Sequence, residues 1–222
     1  MDDAKGVPTP LASYLKLSKR LCPQTKAKEE QMVRIPYTSA VGSVMYAMVC
    51  SRPDIAHAVS LVSRYMSNPG KGHWEALKWL LRYLKSTSNV CLMYGKDSSE
   101  LIGFHDLDYG GDLDNRKSTS GFVFTLSGSA VSWQSSLQDV FSLSTTEAKY
   151  IAVAESFKEV KWVKGLVGEM CNKDFDYMDP LSEKQVSNGS VGEATRSKIC
   201  GRKFVKTNKF DLGYLYHELN YS

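Results

Sequence analysis

Residues 101–121 read "LIGFHDLDYGGDLDNRKSTSG", and the fold turns on how this stretch is understood. Its first eight residues are short and apolar-rich, and they end at two glycines, which is the pattern of a strand running into a turn. On a strand alternate residues share a face, so Asp106 and Asp108 point one way while His105 and Leu107 point the other. Acidic residues before a Gly-Gly pair suit a turn, and they also suit a divalent-cation site if another carboxylate meets them. The nearest candidate is Glu147 in "STTEAKY", residues 144–150. Ser144 followed three residues later by a glutamate is a capping box: the hydroxyl accepts from the N3 amide and the glutamate reaches back to the N-cap amide. A carboxylate in a helix's first turn is also favoured by the macrodipole, so this heptapeptide alone does not require catalysis.

Around this pair the pattern is strands first and then a covering helix, an α+β arrangement. "VCLMYG", "ELIGFHDLD", "SGFVFTLSG", "AVSWQSS" and "VFSLS" are short β-rich segments punctuated by Gly, Ser, Asp and Asn, and they predict an antiparallel meander. A long helix is predicted over 145–170, with Ala148, Ile151, Ala152, Val160, Val163 and Val167 available to its buried side. Before the strands the periodicity is helical. "YTSAVGSVMYAMVC" gives one helix; the next has Ser51 as its N-cap, Pro53 in its first turn and Ile55, Val59, Val62 and Met66 on one face. "WEALKWLLRYLK" gives a third, with Trp74, Leu77, Leu81 and Leu84 at helical spacing. Trp79 and Tyr83 are read as packing anchors, with base stacking as the alternative. Residues 1–36 and 171–222 show no sustained period.

Composition sets the class. Hydrophobic residues at 42%, aromatics at 11% and charged residues at 23% match a globular core rather than a disordered chain. Five dispersed cysteines without a C-x-x-C pair suggest buried thiols rather than a zinc knuckle or a disulfide framework. With no apolar run of membrane length and no secretory-type leader, the expectation is an intracellular protein, cytoplasmic or nuclear, that is neither secreted nor embedded in a membrane. Residues 1–100 carry 14 Lys plus Arg against 8 Asp plus Glu, a net of +6, and the remainder carries 14 against 16, a net of −2. A basic first half suits contact with a polyanion.

The phrases "PYTSAVGSVMYAMVCSRPDIAHAVSLVSRYMSNPGKGHWEALKWLLRYLK", "DNRKSTSGF", "AVSWQSSLQ" and "LSTTEAKYIAVAE" closely resemble plant copia-type LTR retrotransposon polyproteins, at the junction of the polymerase region and the ribonuclease H domain. The resemblance implies the helical end of the reverse transcriptase over 37–88 and a truncated ribonuclease H-like domain over 89–170, which the weak periodicity on either side flanks with a flexible lead-in over 1–36 and a divergent, poorly ordered tail over 171–222. It implies hydrolysis of the RNA strand of an RNA:DNA hybrid with Mg²⁺ or Mn²⁺, Asp106 and Glu147 being the catalytic and metal-binding carboxylates. The chain departs from the family in reading "DLDYGG" for "DADxAG" and "EAKY" for "EAEY", which brings Lys149 near the expected metal. The later "DSQSA"-like and "RTKHID" phrases are missing. Spacing puts the third acid near Ser182, where Asp179 and Glu183 lack the family surroundings, so no third ligand is identified. The polymerase's own "YADD"-type motif is absent from the chain. The expectation is therefore an inherited ribonuclease H activity that is impaired, with a non-catalytic nucleic-acid-binding module or an inert transposon remnant as alternatives.

Overall fold

The computed structural model describes residues 4–94, 101–171 and 196–197. They form two compact units: one comprises residues 4–92 and 112–116, the other 93–94, 101–111, 117–171 and 196–197.

The first unit is helical. Helix α1 (Lys26–Val33), α2 (Tyr37–Ser51), α3 (Ala56–Ser63) and α4 (Lys71–Ser86) are accompanied by short 3₁₀ turns, Lys19–Leu21 before α1 and Pro53–Ile55 between α2 and α3. Their core gathers Tyr37, Val41, Val44, Ile55, Val59, Val62, Leu77, Leu80 and Tyr83. Ser51, expected as an N-cap, is instead the last residue of α2, because Pro53 opens a separate 3₁₀ turn before α3. Helix α4 begins three residues earlier than its apolar period suggests. His73 explains this: its Nδ1 accepts from the Gly70 amide at 2.9 Å, so the imidazole itself closes the helix start. That bond makes Nε2 the protonated nitrogen, which donates to the Ser18 carbonyl at 3.1 Å, while the ring stacks on Tyr65 with centroids 4.0 Å apart. Burial lowers the His73 pKa. The buried side of α4 is Ala76, Leu77, Leu80 and Tyr83, a face rotated from the expected one, and Leu81 and Leu84 are only half-buried.

The "SRPD" phrase acquires a structural meaning here. The Arg52 guanidinium grips Asp54 with two bonds of 2.9 and 2.7 Å, and the Tyr83 hydroxyl donates to the same carboxylate at 2.9 Å. Arg52 also donates to the hydroxyl and carbonyl oxygens of Thr87, pinning the end of α4. Asp54 is 2% exposed, so this paired geometry is what makes a buried carboxylate tolerable. Burial beside that anion holds the Tyr83 phenol well above its ordinary pKa. The early segment is also bound in: Val7 and Leu17 sit in the core, and Ser86 donates to the Val7 carbonyl. Residues 112–116 belong to this unit. Asp114 accepts from the Lys19 amide and the Tyr65 hydroxyl, and Asp112 accepts from both nitrogens of Asn115 and faces Arg64 at 3.5 Å.

The second unit is α+β. Strands β1 (Leu101–Asp108), β2 (Thr119–Leu126) and β3 (Ser129–Leu137) form an antiparallel sheet in the order β3-β2-β1, and α5 (Thr145–Cys171) crosses it. A two-residue strand β4 (Arg196–Ser197) lies antiparallel beside Gly103 and Phe104 of β1. Ser127 and Gly128, both at positive φ, make the tight β2–β3 turn, and a register shift follows at Phe124/Thr125. Two of the five expected strand segments are not strands: residues 90–94 and 140–144 are irregular. In the second case the backbone is spent on capping α5, and Val140, Phe141 and Leu143 face solvent. The tail expectation over 171–222 lies outside the described residues apart from Cys171 and β4.

Candidate functional site

Register fixes which side chains share a face. Leu101 pairs with Leu126, Gly103 with Phe124, His105 with Phe122 and Leu107 with Ser120, so these residues line one surface of the sheet. That surface carries α5: Leu101, Phe122 and Phe124 cluster with Val160, Val163 and Val167. Ser132 donates to Glu159 at 2.7 Å, adding a polar tie between β3 and the helix on the same side. Asp106 pairs with Gly121, and with Phe104 and Val123 it belongs to the other face. Among the described residues β4 pairs with Gly103 and Phe104 of β1, two residues before Asp106.

Asp108, on the same face as Asp106, closes the turn. Gly110 has φ 61, the left-handed conformation that favours glycine, and the Asp108 carboxylate folds back over Gly111. The glycine that replaces the alanine of the family's "AG" is Gly110, the one at positive φ.

Glu147 lies in the first turn of α5 and is exposed. Its amide donates to Ser144 Oγ at 3.1 Å, which is half of the expected capping box. The other half differs. The Glu147 carboxylate accepts from the Leu143 amide at 2.7 Å, one residue before the N-cap, so it serves as an extended cap.

The start of α5 is fixed by a residue that the sequence reading quoted without singling out. Gln138 is 1% exposed; its side-chain amide donates to Ser120 Oγ at 2.8 Å and to the Ala148 carbonyl at 2.9 Å. Its own carbonyl oxygen accepts from Ser142, and its backbone amide donates to the Ser118 carbonyl. Ser118 Oγ accepts from the Gly110 amide and lies 3.4 Å from Ser142 Oγ. One connected network therefore joins the β1–β2 turn, the end of β3 and the first turn of α5, the segments that carry the candidate carboxylates. A glutamine in "SSLQD" between a strand and a helix cap was the available signal.

His105 faces α5. Its ring meets Phe124 edge-on with centroids 6.0 Å apart, and Nδ1 is buried with no hydrogen-bond partner. Desolvation lowers its pKa to about 4, so the ring is a neutral core element at physiological pH.

Among the described residues no group of three or more His, Cys, Asp or Glu side chains is placed to hold a metal ion. Mg²⁺ demands near-octahedral oxygen coordination, and the described carboxylates supply no such set. The described donors do not fit a two-metal centre.

The ancestry of these segments emerges from comparison with known proteins. Over 202 residues, 90% of the chain, it is 52% identical to the Retrovirus-related Pol polyprotein from transposon TNT 1-94 of Nicotiana tabacum. It is 37% identical over 171 residues to the corresponding polyprotein from transposon RE1 of Arabidopsis thaliana. The chain belongs to the copia-type retrotransposon Pol polyproteins. It spans 15% of the tobacco Pol polyprotein. A stand-alone relative of this Pol-derived chain is the Secreted RxLR effector protein 161 of Plasmopara viticola, 45% identical over 133 residues that make up 94% of that protein. No protein-family profile matches the chain, and no solved structure does.

Proposed function

We propose that this transposon-derived protein is a ribonuclease H-like unit following the helical end of a reverse transcriptase region, and that its hydrolytic site is impaired. The observation that carries the reading is the presence of Asp106 on β1 and of Glu147 in the first turn of α5, in a chain of Pol descent. Asp106 and Glu147 are the carboxylates inherited from a site for Mg²⁺- or Mn²⁺-assisted cleavage of RNA in an RNA:DNA hybrid. Impairment is inferred from the sequence, which lacks the later acidic phrases of the family. Asp106 belongs to the face away from α5, the Glu147 carboxylate holds the Leu143 amide, and no third acid joins them among the described residues. A preorganised site that lacks one member loses most of its rate, whatever the remaining groups do. Hybrid binding without turnover is the activity left to the fold.

The test is calorimetric titration with Mn²⁺ and with Mg²⁺. The expected result is no saturable site in the protein or in its Asp106→Asn and Glu147→Gln variants. Saturable binding that both substitutions abolish would show an intact centre and contradict the impairment.

A further inference from the structure

Helix α4 buries His73, Ala76, Leu77, Leu80 and Tyr83, and its opposite side carries Lys71, Lys78, Arg82 and Lys85. At 100° per residue these four side chains fall within one narrow sector of the helix, and a rise of 1.5 Å per residue makes the row ~21 Å long. Glu75 is the carboxylate in that sector, so the row carries four positive charges against one negative. Beside it stands an aromatic platform. Trp79 is fixed by donation from Nε1 to the Thr9 carbonyl at 2.9 Å, and the Arg82 guanidinium lies over its ring at 5.2 Å. Tyr14 meets Trp79 edge-on with centroids 5.9 Å apart, and 68% of Tyr14 is exposed. The early segment that presents Tyr14 is anchored a second time, because Arg82 Nε donates to the Lys5 carbonyl at 2.7 Å.

We propose that this face of α4 binds single-stranded nucleic acid, the basic row following the phosphates and the Tyr14 ring stacking an unpaired base. An exposed aromatic ring beside a row of cations is the pairing that single-strand binders use, and a duplex would leave Tyr14 without a base to stack on. The inference deepens the nucleic-acid reading above but does not depend on hydrolysis, because no residue of this face belongs to the carboxylate site.

Fluorescence anisotropy with a short labelled single-stranded RNA and with a blunt RNA:DNA hybrid of equal length, across a salt series, tests it. The single strand should bind more tightly than the blunt hybrid. Lys71→Gln with Lys78→Gln should flatten the log-affinity against log-salt slope by ~1.4, two phosphate contacts at ~0.7 each. Tyr14→Ala should weaken binding about tenfold at unchanged slope, with Tyr14→Phe restoring it. Equal affinity for the hybrid, or a wild-type slope in the double lysine variant with circular dichroism unchanged, overturns the proposal. So does a Tyr14→Phe variant as weak as Tyr14→Ala.

Discussion

Replacing Gln138 with methionine keeps the side chain's length and volume while removing every polar contact it makes. Two donated bonds, to Ser120 Oγ and to the Ala148 carbonyl, and one accepted from Ser142 are lost together. Each such bond contributes ~0.5–1.5 kcal/mol net, and a buried partner left unsatisfied costs ~1–3 kcal/mol. The Ala148 carbonyl can still serve its own helix and Ser142 is only half-buried, so the Ser120 hydroxyl pays the larger share. The expected destabilisation of the sheet unit is ~2–4 kcal/mol. Because Gln138 ties the first turn of α5 to β2, the loss should be local as well as global. Urea denaturation gives the free energy, and amide exchange resolved by peptide should show faster exchange over β2 and the start of α5 while α2 to α4 keep their protection. A change below ~0.5 kcal/mol with unaltered exchange in those peptides would refute the positioning role.

Other outcomes follow from the same geometry. An unfolded histidine takes up a proton as pH falls below ~6.5, whereas folded His105 resists until about 4, so the unfolding free energy of the sheet unit should fall as pH drops through that window. The ~2.5-unit gap sets an upper bound of about 3 kcal/mol, and His105→Met should flatten the dependence in urea melts at stepped pH. Asp54→Ala should cost ~3–5 kcal/mol by stranding the Arg52 charge, and Arg52→Met combined with Asp54→Leu should cost less, measured by thermal unfolding of the full chain. Ser144→Ala should lower stability by ~1 kcal/mol through loss of the N-cap, seen as faster exchange in the first turn of α5.

The helices were legible wherever local sequence dictates structure: the apolar period of α2, α4 and α5 and the Ser144 cap all appear as helical features. Strand alternation placed Asp106 and Asp108 on one face and His105 and Leu107 on the other, and the register agrees. Long-range choices were not legible. Period 2 divides a strand into two faces without saying which one a helix will cover, so the position of Asp106 relative to α5 needed the sheet register. The anchoring of the first segment rests on backbone carbonyls of Lys5, Val7 and Thr9 accepting from side chains of α4 some 70 residues or more away, and a carbonyl leaves no mark in a sequence. Tyr83 proved to be core, as its reading as a packing anchor expected, whereas the platform around Trp79 depends on Tyr14, outside any periodic segment. The strand expected at 140–144 failed because Ser142, Leu143 and Ser144 serve Gln138 and the helix cap rather than a ladder.

The central claim is that a ribonuclease H-like unit of Pol descent has kept Asp106 and Glu147 without keeping a working centre. Incubating the folded protein with a labelled RNA:DNA hybrid in Mg²⁺ or Mn²⁺, beside its Asp106→Asn and Glu147→Gln variants, tests it most directly. The account predicts no cleavage above the level of the two variants, together with retained binding of the hybrid. RNA cleavage by the wild-type protein that both substitutions abolish would contradict it.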